Sequence, residues 1–177
     1  CIRDSADTTQ SQSSATASDS RLRFYVNGQQ ITSFLSGDAD MPSQNFEFRI
    51  NNNVLHYIGE YPRINSHLDG YLAEVNFIDG QALDSSYFGY TDFQTGIWRP
   101  KKYEGVYGSN GFYLDFNDNS ATTAATLGRD RSGNGNNFTP SNFSVASDFT
   151  NDSSLDTPSN SFCTWNSLFG NPNSYLV

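Results

Sequence analysis

The chain has 177 residues, of which 16% are charged, 36% hydrophobic and 15% aromatic, and 10 Lys and Arg stand against 19 Asp and Glu for a net charge of −9. That length accommodates one domain, or one and a fragment. So acidic a chain lacks the dense basic stripe that phosphate binding needs, which argues against nucleic acid, and no apolar run approaches the ~18 residues of a membrane span.

The mean hydropathy of −0.58 points towards disorder, but 14 Phe, 10 Tyr and 2 Trp point the other way. Disordered chains are poor in aromatics because they bury nothing. With 24 Ser, 19 Asn and 14 Gly, the rings must sit on short elements between many turns.

Residues 1–20 are polar, small and without period, and read as a linker or a long surface excursion. From Arg21 the texture changes. Leu22, Phe24 and Val26 alternate with Arg23 and Tyr25, the period of a half-buried strand. Asn27-Gly28 follows, a pair that suits a type I′ turn because both residues tolerate positive φ, so a hairpin into Gln29 to Phe34 is expected. Phe46 to Ile50 alternates apolar with charged side chains, and Val54 to Ile58 reads as a further strand ended by Gly59. Arg63 to Asp69 reads as a loop. Gly70 to Ile78 is the clearest strand, with Tyr71, Ala73, Val75 and Phe77 on one face and Leu72, Glu74, Asn76 and Ile78 on the other. Asp84 is the expected N-cap of one short helical turn, Ser85 to Phe88, closed by Gly89. Beyond Tyr90 the pattern loosens. Phe112 to Phe116 is one more strand, and Asn117 to Asn137 is a long polar loop. Phe138, Phe143, Val145 and Phe149 are isolated apolar anchors, and the tail carries Phe162, Trp165 and Phe169. About six strands and no substantial helix indicate an all-β chain, an antiparallel β-sandwich or jelly roll completed by another segment or chain.

Catalytic patterns are missing. His56 and His67 are the only histidines, and neither belongs to a His-x-x-x-His pair with a Glu beside it. The four glutamates, Glu47, Glu60, Glu74 and Glu104, never take a spacing that sets two carboxylates on one strand face. The expectation is a chain that is not an enzyme, with no catalytic residue and no bound cofactor. Calcium is the one metal with candidate oxygens: Asp115, Asn117, Asp118 and Asn119, or Asp130 with Asn134 and Asn136. Asx-rich turns that cap their own backbone amides account for the same residues. Trp98, Tyr103 and Tyr107, with Tyr113, are candidates for stacking on sugar rings, and core or inter-subunit packing is the competing account. Cys1 and Cys163 lie almost at opposite ends, and their spacing does not say whether they pair. A start on Cys1 with no leader-like segment is that of a processed product or an excised fragment. Asn137-Phe-Thr139, Asn142-Phe-Ser144 and Asn151-Asp-Ser153 are glycosylation sequons in form.

Two resemblances rest on particular residues. Leu22 to Gly28, Tyr57-Ile-Gly59, Leu68 to Gly80 and Ala82-Leu83 resemble the C-terminal half of a laminin-G-like, concanavalin-A-type jelly roll. Asp69 to Phe88, Trp98 to Lys102, Gly108 to Phe116, Asp130 to Pro140 and Asp156 to Asn160 resemble large structural proteins of marine tailed bacteriophages, especially those of cyanobacteria and other ocean bacteria. The Asp-x-Ser-Gly-Asn-Gly-Asn pattern departs from the laminin-G order, since it follows the closing strand here. Beyond the linker or excursion read over 1–20, the resemblances imply the C-terminal half of a laminin-G-like sandwich over 21–90 and a loop-rich β extension over 91–177. They imply a component of a virion appendage (tail fibre, knob or capsid-surface fibre) at the virion surface or outside the cell. Its partners would be other virion proteins or copies of itself, and host-surface glycans. A lectin-like glycan-binding module of a secreted or cell-surface protein is the alternative.

Overall fold

A computed structural model describes residues 2–11, 21–34, 42–64, 66–146 and 151–154. Cys1, Cys163, Phe149, Phe162, Trp165 and Phe169 lie outside the described residues, as does Asp156 to Asn160. Almost everything regular is β-structure, in small antiparallel sheets. Helical structure among the described residues is limited to two 3-10 turns, Pro62–Ile64 and Ser85–Tyr87. No helix among them is long and apolar enough to cross a membrane.

The hairpin at Asn27-Gly28 forms as its turn chemistry requires. Strand β2 (Leu22–Val26) returns as β3 (Gln29–Gln30), and Asn27 and Gly28 take φ of 49° and 79°. The structure differs at the polar opening segment. Ile2–Ala6 form strand β1, which pairs with β2 along its whole length from Ile2↔Val26 to Ala6↔Leu22. Ser5 and Arg21 are buried there, and the Arg21 guanidinium donates to the carbonyls of Gln10, Ser11 and Pro42. A segment without hydrophobic period is thus ordered by backbone pairing and one arginine fork.

Two alternating runs do not become strands. Phe46 to Ile50 and Val54 to Ile58 are turns and irregular chain, with Phe46 and Phe48 ring against ring at 5.1 Å. Alternation orients side chains, but a strand also needs a neighbour for its amides, and no described segment pairs with either run. Conversely, Ser66–His67 within the expected loop forms β5, which pairs with β4 (Glu60–Tyr61) just before it.

Gly70 to Ile78 is strand only over β6 (Val75–Phe77), because Glu74 sits at φ 53° and breaks the extended chain. The two-face alternation expected across Glu74 is lost with it. β6 pairs with β9 (Phe112–Leu114), so residues before and after position 90 share a sheet. Asp84 caps its 3-10 turn through the Ser86 amide at 2.8 Å. Strands β7 (Gly89–Thr91) and β8 (Trp98–Pro100) then form a second hairpin, in a stretch where no strand is legible by period.

Burial is sparse. Tyr25, Tyr103, Leu114 and Leu127 are the buried apolar side chains among the described residues, and eighteen large apolar side chains are exposed. Leu114, 1% exposed, anchors one cluster, where the Phe112 ring stacks on Phe77 and meets Phe138 edge-on. The second cluster is a row of rings running from β2 towards β9.

Candidate functional site

The row begins at Arg3 on β1. Its guanidinium lies 5.0 Å from the Tyr25 ring centre and 5.5 Å from that of Phe88. Ring faces hold the cation there, since Nη1 is buried and meets no hydrogen-bond acceptor among the described residues. Phe88 stacks on Tyr103 at 5.2 Å, Tyr103 meets Tyr107 edge-on at 5.1 Å, and Tyr107 stacks towards Tyr113 at 6.3 Å. Of the residues singled out for sugar stacking, Tyr103, Tyr107 and Tyr113 therefore come together. Tyr103 does so as interior packing, 4% exposed with neighbours on its face and its edge, while Tyr107 and Tyr113 are half-buried. Trp98 adjoins the start of the row, lining one small cavity with Arg3, Tyr25 and Phe88, but stacks on none of its rings among the described residues. Its indole presses on Gly28 and Gly89, where an added Cβ would run into the ring. Two glycines from two hairpins thus make a slot for one indole, and Ser85 reinforces it by donating its hydroxyl to the Gly28 carbonyl at 2.9 Å.

Desolvation, with the Tyr113 and Tyr103 hydroxyls and Asp130 nearby, pushes the Tyr107 phenol far above its ordinary value. Tyr113 is raised in the same sense, first by burial and then by Glu74 and Asp115. The Tyr107 hydroxyl donates to Asn76 Oδ1 at 2.9 Å, so Asn76 is a polar support of the row. A phenol whose folded pKa is raised stabilises the fold fully below the unfolded value near pH ~10, and that contribution disappears as pH climbs through the folded value. An absorbance titration is expected to show Tyr107 and Tyr113 ionising only as the fold is lost. Tyr107→Phe should cost about 1 kcal/mol at neutral pH and flatten the alkaline decline in stability.

The second constellation is the loop from Asp130 to Asn137. Asp130 is 6% exposed and its carboxylate is fully engaged. Oδ1 accepts the amides of Tyr113 and Ser132 at 2.9 and 2.8 Å, and Oδ2 accepts the Ser132 hydroxyl and the Asn136 amide at 2.8 and 2.9 Å. Desolvation by itself raises this carboxyl, but those donors outweigh it and hold the pKa below the ordinary value. Asn134 and Asn136 turn their amide nitrogens to carbonyls: Asn134 to Gly108 and Gly111, Asn136 to Ser109 and Gly111. Asn137 Oδ1 accepts the Asp130 amide. The Asx-rich sequence thus staples the 108–111 turn and β9 together.

The other oxygen cluster also serves its own backbone. Asp115 accepts the Asn117 amide and pairs with Arg131 at 3.5 Å, and Asp118 accepts the Ser120 amide and hydroxyl. A calcium ion at either cluster would have to displace these donors. Among the described residues no three His, Cys, Asp or Glu side chains converge as metal ligands.

Sequence reasoning passed over Arg3, Phe88, Asn76 and the glycine slot. Arg3 lies in a polar stretch with no period, and Phe88 ends a 3-10 turn, so neither carries a periodic signal. No family model, curated protein or solved structure matches this chain.

Proposed function

We propose that this chain is a structural component of a phage virion appendage, a partial laminin-G-like or concanavalin-A-like β-sandwich that assembles with further polypeptide at the virion surface. The carrying observation is unspent apolar surface. Ten of the eighteen exposed large apolar side chains fall within residues 46–72, among them Leu55, Ile64 and Tyr71. Isolated exposed apolar residues are ordinary, but so dense a set in one stretch marks a surface made to be covered. Two alternating runs in the same stretch have no strand neighbour among the described residues and stay irregular, as segments would that need further polypeptide to pair with.

Sedimentation of the purified chain, with mass spectrometry of intact particles, tests this reading. The expected result is a concentration-dependent assembly and the presence of the chain in virions. A monomer at every concentration, absent from particles, would sink it. Calcium-dependent binding to a glycan array, lost in Trp98→Ala, would replace it with the lectin-like module.

A further inference from the structure

Asparagine loses its side-chain amide most readily when glycine follows it, because the next backbone nitrogen is then unshielded and the chain around it turns freely. The chain holds three such pairs, Asn27-Gly28, Asn110-Gly111 and Asn134-Gly135. Reaction requires the glycine nitrogen to swing onto the asparagine Cγ, so that nitrogen must be unbonded and its backbone able to move. Two of the pairs are held. Asn27 and Gly28 form the tight turn between the paired Val26 and Gln29, with the Trp98 indole against Gly28 and the Ser85 hydroxyl on its carbonyl. Gly111 is buried against the Tyr107 carbonyl, and its amide donates to the Gly108 carbonyl at 3.3 Å. The Asn110 side chain donates to Asn51 Oδ1 at 2.9 Å, and its backbone amide donates to Asp79 Oδ2 at 3.1 Å.

Asn134-Gly135 differs at the nitrogen that attacks. Gly135 is exposed, and its amide donates to no acceptor among the described residues. Gly133 and Gly135 flank Asn134, and a Cβ added at either would meet open space, so the backbone there has room to turn. The restrained part is the Asn134 side-chain NH2, which donates to the Gly108 and Gly111 carbonyls at 2.6 and 2.8 Å. Those two bonds slow the reaction relative to an unfolded chain, and they decide its consequence.

We infer that Asn134 is the Asn-Gly asparagine at which this folded chain deamidates first, and that the product releases the 130–137 loop from the 108–111 turn. Hydroxide removes the Gly135 amide proton, and the nitrogen attacks Asn134 Cγ. The new N–Cγ bond closes a succinimide ring. The Cγ–Nδ2 bond breaks, and Nδ2 takes a proton from water and leaves as ammonia. A second water opens the ring: addition at Cγ gives aspartate, and addition at the main-chain carbonyl of residue 134 gives isoaspartate. Water is the one co-reactant, and nothing is oxidised or reduced. Aspartate sets a carboxylate oxygen against the two carbonyl oxygens, and isoaspartate reroutes the main chain through the former side chain. Both remove the NH2 donor that the Gly108 and Gly111 carbonyls share.

Incubation of the native full-length protein in mildly alkaline heavy-oxygen water, followed over time by peptide mass spectrometry, tests the site. The heavy oxygen marks each residue that water has opened. Asn134 is expected to convert at least about fivefold faster than Asn27 or Asn110, the factor that about one net hydrogen bond of local opening imposes. In denaturant the three rates should converge, which assigns the order to the fold. No conversion at Asn134, conversion first at Asn27 or Asn110, or the same order in denaturant would overturn the inference. In parallel, Asn134→Asp, which copies one product, should lower the thermal midpoint by about 5 °C, because two donated hydrogen bonds are lost and oxygen faces oxygen. A midpoint equal to the wild type would overturn the release of the loop.

Discussion

Asp130→Ala is expected to be among the most damaging single substitutions in this protein, lowering stability by about 4 kcal/mol and the thermal midpoint by about 10 °C. Three backbone amides, those of Tyr113, Ser132 and Asn136, and the Ser132 hydroxyl lose their acceptor together. Each buried donor without a partner costs about 1–3 kcal/mol, and the losses overlap because one small rearrangement wets several of them. Asp130→Asn separates charge from shape. It keeps one acceptor oxygen but sets an NH2 group against two donors, so about half the loss is expected. The pH dependence has a definite sign. A carboxyl with a depressed folded pKa stabilises the fold above its unfolded value near pH ~4, and that stability is lost as pH falls through the folded value. Chemical denaturation at stepped pH should show this acid decline in the wild type and a shallower one in Asp130→Ala. Equal slopes would mean the carboxylate is not the anchor of the loop.

Gly128→Ala should cost about 3 kcal/mol, although it adds one methyl group. Gly128 is buried against the backbone of Phe138, whose amide donates to the Gly128 carbonyl at 2.9 Å. An added Cβ there collides with the Phe138 carbonyl oxygen, which is backbone and cannot swing aside. Relief requires residues 138–140 to retreat, and with them the Phe138 ring that meets Phe112 at 4.8 Å. Gly133→Ala is the matched control. Its Cβ would meet open space, and only the φ of 97° opposes it, so about 1 kcal/mol is expected. Thermal unfolding of the two variants side by side checks the ordering. A Gly133 variant as damaged as the Gly128 variant would contradict close backbone packing as the cause.

What could be read before any fold was known follows from short-range chemistry. Asn27-Gly28 makes its turn because the conformational preference of two adjacent residues suffices. Asp84 caps its turn because the donor lies two residues away. The scarcity of helix among the described residues follows from composition, since Gly, Ser and Asn are weak helix formers. Asp92 and Thr95 close the β7–β8 turn for the same local reason, but the exposure of Phe93 is a property of everything that fails to cover it. Phe46 to Ile50 shows the converse, a good strand pattern with no described neighbour to pair with.

By itself, then, the amino-acid order determined the all-β character and two turns, because hydrogen bonds spanning a few residues settle those. Only the tertiary structure decided that the opening polar residues form a strand, that Trp98 lies in a slot of two distant glycines, and that Asp130 serves the amide of Tyr113. Such contacts join residues far apart in the chain, and no window of sequence contains both partners.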